Sequence, residues 1–248
     1  MSVARTYLRP PVTEAAIELR YETAVSQADL ERAAGRLGKE YPIAEAEIVN
    51  NVTLDAQAGT TSFSTMWQGI KRSSADRTEV VLFRTGGLVI GHLAPHKGWE
   101  HLLEKTQIAW AALGHATGEN LALSRAGIRY INRIDIPAGS KQSAIFDYVQ
   151  FQPKNPEGLI SLDTMSEFHM QIVYSIPKTE FGARIALANG LSPLIDHTAI
   201  ILDIDVFCDH AIPRRTNDVW NVLSEMRVQK NIIFESCVTD KARELFDR

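Results

Sequence analysis

Near the midpoint of this 248-residue chain, the segment Ala126-Gly-Ile-Arg-Tyr-Ile-Asn-Arg-Ile-Asp-Ile-Pro137 alternates apolar with charged residues. Ile128, Tyr130, Ile134 and Ile136 fall in one phase, and Arg129, Arg133 and Asp135 in the other. A period of two is the pattern of a strand with one face on a core and the other in water. A shorter version stands near the start, Glu14-Ala-Ala-Ile-Glu-Leu-Arg-Tyr21, where Ile17, Leu19 and Tyr21 oppose Glu18 and Arg20. The stretches of chain after the two copies are also alike. The sequence therefore predicts a diverged duplication, with halves over 1–120 and 121–248 forming one compact unit.

The rest of the chain fills in that scheme. After a first strand over 13–21, Ser26 is placed to cap a helix reaching about Glu40, with Leu30, Ala33, Ala34 and Leu37 at core-facing spacing. Strands are expected near 46–54, 62–70, 79–83 and 88–93, with Thr85-Gly86-Gly87 as a hairpin turn. A long helix over about 99–116 closes the first half. The second half reads as a strand over 125–136, a short helix near 143–149, a Pro- and Gly-bearing loop over 152–158, and strands over 168–176, 182–188 and 198–207. A helix over about 217–233 comes next, then a last turn capped by Thr239. Lys71 to Arg77 reads as a solvated hairpin loop, and Asn50-Asn51 and Asn231 as turn and helix-end residues.

Hairpin-linked strands with helices at fixed places imply an α+β fold: two diverged β-α-β(3-4)-α pseudo-repeats with antiparallel sheets covered by long helices. The element order is that of saddle-shaped, internally duplicated folds of the TATA-binding-protein-like class. That likeness is topological and assigns no function.

Pro10-Pro-Val-Thr-Glu-Ala15, Gly127-Ile-Arg-Tyr-Ile-Asn-Arg-Ile134, Leu202-Asp-Ile-Asp205, Phe234 and Thr239-Asp-Lys-Ala-Arg243 resemble a sporadically distributed, functionally uncharacterised prokaryotic protein family. The resemblance runs over nearly the whole chain and is most specific at the central motif. It implies one full-length unit and, from the family's patchy distribution, an accessory or genome-defence role. It implies no catalytic residue, cofactor or substrate.

The net charge of −4 argues against a generic polyanion binder, because neutralising phosphates requires clustered Lys and Arg. Cys208 and Cys237 are the only cysteines and lack metal-ligand spacing, so neither a disulfide framework nor a structural zinc is expected. The charged N-terminus lacks the apolar run of a signal peptide, and no apolar stretch is long enough to span a bilayer. A cytoplasmic protein without membrane contact is the expectation.

Asp203 and Asp205 lie two apart in a strand, so both carboxylates leave one face. Such a pair could hold Mg²⁺ together with a substrate phosphate, or be offset by Arg129 and Arg133 across the strands. His92, His96 and His101 surround the join between a strand and the long helix, at spacings that do not define a common focus. Neither cysteine has a base at a fixed offset. Trp99, Trp110 and Trp220 read as core, and Trp67 as core or an exposed aromatic platform.

What remains is the polar set of three strands: Glu18, Arg20, Arg129, Arg133, Asp135, Asp203 and Asp205. Alternating signs suit a protein partner, self-association or a small charged ligand, and suit a continuous nucleic-acid track poorly. The expectation is a binding or regulatory component with no cofactor. The alternatives are a divalent-metal-dependent enzyme acting on a phosphate ester through Asp203 and Asp205, and nucleic-acid binding by a saddle-like sheet.

Overall fold

A computed structural model describes residues 5–55, 59–118, 121–137, 142–151 and 166–247; the loop expected over 152–158 lies outside them. Among the described residues are β1 (Val12–Tyr21), α1 (Gln27–Arg36), β2 (Ile43–Asp55), β3 (Thr60–Ser73), β4 (Glu79–Arg84), β5 (Gly87–Leu93) and α2 (Trp99–Thr117). The second run is β6 (Leu123–Pro137), a 3-10 segment (Gln142–Tyr148), β7 (His169–Ser175), β8 (Gly182–Leu191), β9 (His197–Cys208), α3 (Thr216–Cys237) and α4 (Asp240–Phe246). The order is the one expected, and the fold is α+β. The expected sheets are one antiparallel sheet, hydrogen-bonded in the order β2-β3-β4-β5-β1-β6-β9-β8-β7.

The chain divides into two compact units, one of Ile17–His92 with Gly98–Arg125 and the other of Met1–Ala16, Leu93–Lys97 and Ala126–Arg248. The division is thus not a single cut at 120/121: β1 and β6 each pass from one unit to the other along their length.

In the unit holding α1 and α2, one phase of each strand supplies the core. Ile17 and Leu19 of β1, Val81 and Phe83 of β4, and Leu88 and Ile90 of β5 are buried, as are Leu30, Ala33 and Ala34 of α1 and Leu102, Ala109 and Leu113 of α2. Each large aliphatic or aromatic side chain among them contributes roughly 1.5–3 kcal/mol when fully buried. Ser26 caps α1 by accepting from the Asp29 amide at 3.2 Å. The helix stops at Arg36, short of the expected Glu40, because Gly35 and Gly38 weaken its last turn and the backbone closes with Leu37 N–H on the Ala34 carbonyl. Lys71 and Arg72, expected in a loop, belong to β3, where Arg72 Nε reaches the Ala34 carbonyl of α1 at 3.0 Å.

β3 carries one irregularity that shapes this unit. Its pairing with β2 slips between Glu47 and Ile48, so that Glu47 faces Gly69 while Ile48 faces Trp67. A β-carbon at Gly69 would stand 2.1 Å from the Phe83 carbonyl oxygen, so no larger residue fits there without moving β4. Asn50 and Asn51, expected in a turn, lie inside β2, which pairs with β3 as far as Asp55 and Thr60.

In the other unit the core phase is Ile128, Tyr130, Ile134 and Ile136 of β6, Ile200, Leu202, Ile204 and Val206 of β9, and Ala183, Ile185 and Leu187 of β8. Val219, Leu223, Met226, Ile233 and Phe234 of α3 and Ala242 and Phe246 of α4 are buried as well. Thr239 caps α4, accepting from the Ala242 amide at 3.4 Å. Asn231, expected at a helix end, lies within α3.

Candidate functional site

The core phases account for one side of β6, β8 and β9, and the opposite side carries the charged phase. β6 and β9 pair so that Arg129 stands across from Asp205 and Ile131 from Asp203. Arg129 takes the diagonal partner: its Nε and Nη2 donate to the two Asp203 oxygens at 2.9 and 2.7 Å. Asp205 is met from the other flank by Arg184 of β8, which faces it in register and donates to it at 3.3 Å. Arg133 stays on its own strand, with Nε donating to the Asp135 carboxylate at 3.0 and 3.2 Å.

The result is a row of arginines over more deeply set aspartates. Asp203 and Asp205 keep 15% and 11% of their side-chain surface exposed, against 45% for Arg129 and 35% for Arg184. The hydrogen bonds it donates to Asp203 hold the Arg129 guanidinium above its ordinary value, against the opposing effect of partial burial, with further help from the charges of Asp203, Glu14 and Asp205. Of the expected residues, Arg129, Arg133, Asp135, Asp203 and Asp205 share this sheet face. Arg184 was missed, although its alternation in Gly182-Ala-Arg-Ile-Ala-Leu187 carries the same signal as Arg129.

Glu18 and Arg20 belong to the other unit. There Glu18 accepts from Arg125 and forms an ion pair with Arg20 at 3.1 Å. On the same phase Arg84 reaches across the bare Gly69 position to Glu47, its Nε donating at 2.7 Å, and the bond lifts the guanidinium above its ordinary value. Lys71 of β3 meets Glu45 of β2 at 3.1 Å.

These pairings bear on the metal reading. Guanidinium groups already hold Asp203 and Asp205. Among the described residues no group of three or more His, Cys, Asp or Glu stands close enough to hold a metal ion. The three histidines divide: His92 and His101 have ring centres 5.7 Å apart, while His96 lies edge-on to Tyr130 at 5.7 Å. His101 Nε2 is 2.9 Å from Glu79, whose other oxygen accepts from the Tyr41 hydroxyl at 3.1 Å. Burial, followed by the Glu79 charge, pushes the Tyr41 hydroxyl well above the ordinary tyrosine range. Glu79 sits in the core phase of β4, which is why a search for exposed carboxylates passes over it.

Both thiols are buried, and burial pushes each up, Cys237 to about 11. Cys208 donates to the His210 carbonyl at 2.7 Å and lines a cleft of about 470 Å³ with Lys178, Phe181, Val222 and Glu225. A protonated, buried thiol is a poor nucleophile.

One cationic group was also missed. Lys230 of α3 is half-buried, with Nζ 4.1 Å above the Tyr130 ring. Burial, then the charge of Arg227, pushes its amine down to about 8. Asn132, next in the core phase of β6, donates to the Tyr130 and Leu202 carbonyls at 3.4 and 3.1 Å.

No helix among the described residues is long and apolar enough to cross a membrane. No family model matches the sequence, and no curated protein does. A solved structure, that of the di-domain ARO/CYC StfQ from the steffimycin biosynthetic pathway, aligns over 94% of this chain and 97% of its own. Identity is 8% and the TM-score 0.22, too low for the likeness to bear on fold or function.

Proposed function

We propose that the chain is a protein-binding component, accessory or regulatory in role, whose contact face is the ionic side of β6, β9 and β8. The observation that carries this reading is the layering of that face, with Asp203 and Asp205 set deep and the guanidinium groups of Arg129 and Arg184 held above them. Arginines fixed in this way lose little side-chain freedom on meeting a partner's carboxylates or carbonyls, and planar guanidinium groups suit bidentate contacts. Signs alternate over short distances, which favours one complementary protein surface over a uniform polyanion.

A diverged duplication, related to the saddle-shaped class, is part of the same proposal. Its support is the repeated pairing order: β1 lies beside β5, the last strand of its run, and β6 beside β9, the last of its own.

The test is affinity purification from the native host extract with the wild type, Arg129→Ala and Arg133→Ala. Loss of the same partner from both variants, with melting temperatures unchanged, supports the proposal. Identical partner sets from all three proteins would sink it. Calorimetric titration with Mg²⁺ and Mn²⁺ addresses the phosphate-ester enzyme: saturable heat that Asp203→Asn abolishes would replace the binding reading with that one.

A further inference from the structure

Beyond the ionic face, the hairpin of β2 and β3 ends in an arm with which no third strand pairs among the described residues. β4 pairs with β3 only over Gly69–Ser73, whereas β3 pairs with β2 from Ser73 as far as Thr60. Past the slip at Glu47/Ile48, the hairpin is therefore a two-stranded ribbon of β2 and β3. Two-stranded ribbons are marginal in water, and three or more strands are usually needed for stability. The register places Ile48 opposite Trp67, and Phe63 stands four residues from Trp67 in the same phase of β3, so these three share one face of the ribbon. Ile48 is 52% exposed, Phe63 78% and Met66, on the other face, 54%.

Its charge pattern is as unusual as its length. From Ile48 to Ile70 the sole charged residue is Asp55. β2 is also a terminal strand of the sheet. Natural edge strands are commonly guarded by lysines, inward charges or prolines, and Ile48 to Leu54 of β2 has none. Nucleic acid is a poor occupant for a ribbon without Lys or Arg.

We propose that this ribbon is a dimerisation arm, and that its occupant is the same ribbon of a second copy, paired antiparallel along β2 across a twofold axis. Two arms joined in this way make a four-stranded sheet, which supplies the strands each arm lacks. In a twofold antiparallel contact residue i meets j and j meets i, and only residues at the axis meet their own equivalents. With the axis at Asn50 and Asn51, midway along Ile48 to Leu54, a charge there would face its own copy, whereas the native stretch brings no like charges together. The ribbon lies in the unit of α1 and α2 and involves no residue of the ionic face on β6, β8 and β9.

Sedimentation equilibrium of the full chain, from micromolar to several hundred micromolar loading, tests the arm. The wild type is expected to self-associate, and Asn50→Lys to weaken that association by about tenfold or more by setting like charges across the seam. Mixing Asn50→Lys with Asn50→Glu is expected to restore association, because only a self-pairing edge brings the two substitutions together. Melting curves establish that each variant is folded, and Asn51→Lys mixed with Asn51→Glu repeats the exchange at the neighbouring position if it is not. A wild type that stays monomeric throughout overturns the proposal. So does a dimer indifferent to Asn50→Lys, which would place the contact elsewhere, or a weakened variant that the mixture fails to restore.

Discussion

Replacing Lys230 with methionine should raise the stability of this protein at neutral pH, by an amount set by its surroundings. The ordinary value of a lysine amine is 10.5, and burial holds this one at about 8. A difference of about 2.5 units at 1.36 kcal/mol each puts the cost of the half-buried charge at about 3 kcal/mol at most. The Tyr130 ring, 4.1 Å below Nζ, offsets part of that through a cation–π contact, by about 1–2 kcal/mol in a desolvated setting. Methionine keeps the unbranched stem and loses both contributions, leaving a net gain of about 1–2 kcal/mol. At about 2–4 °C per kcal/mol, the melting temperature at pH 7 should rise by roughly 2–8 °C. The pH dependence has a definite sign. Between pH 8 and pH 10.5 the unfolded chain holds a proton on Lys230 that the folded chain has released, so wild-type stability rises with pH through that window. Below pH 8 the amine is charged in both states and the penalty is fully present. Lys230→Met lacks the titration, so its advantage should shrink as pH climbs from 8 towards 10.5. Melting curves at a series of pH values would show this. A variant less stable than wild type at neutral pH, or a gap that stays constant across the alkaline range, would refute the reasoning.

Three further outcomes are expected from the packing. Gly69→Ala drives a β-carbon onto the Phe83 carbonyl and should cost about 3 kcal/mol, seen as a lowered urea midpoint; an unchanged midpoint would show that β4 moves freely. Glu79→Ala leaves the Tyr41 hydroxyl and the His101 ring without their acceptor in the core and should cost about 2–4 kcal/mol by the same measurement. Arg129→Ala should be much milder, about 1 kcal/mol or less, because the pair with Asp203 is partly solvated and screened; a loss above about 3 kcal/mol would mark it as structural instead of a contact surface.

The fold was legible wherever a strand had one wet face. The alternation in β1 and β6 gave both the strands and their buried phases, because period-two patterning records burial directly. Helix ends were less legible. Ser26 and Thr239 announce the starts of α1 and α4 through their side chains, but the end of α1 depends on a backbone turn at Ala34–Leu37 that composition only hints at. Partner choice on the ionic face was legible only in part. That Arg129 meets Asp203 and not the directly opposite Asp205 depends on the reach of a long side chain across the diagonal. Lys230 and Glu79 were invisible for a different reason. In sequence each is one more charged residue, and its chemistry arises only from where the fold buries it.

The same physics explains why the charged phases of β6, β8 and β9 take the form of rungs instead of scattered charges. A partly exposed sheet side cannot be apolar without inviting association, yet bare aspartates packed between adjacent strands would repel one another. Asp203 and Asp205 are two apart on β9, and each is held by an arginine from a different neighbouring strand, β6 for the first and β8 for the second. The two arginines thus tie three strands together through carboxylates that remain largely shielded from water. Shielding makes the carboxylates poor sites for an incoming cation, which at Asp203 would have to displace a bidentate guanidinium. It leaves Arg129 and Arg184 as the more exposed members of the two pairs. Whatever binds there meets donors first, and a partner that presents carboxylates or backbone carbonyls in a planar array fits that face better than one that presents cations.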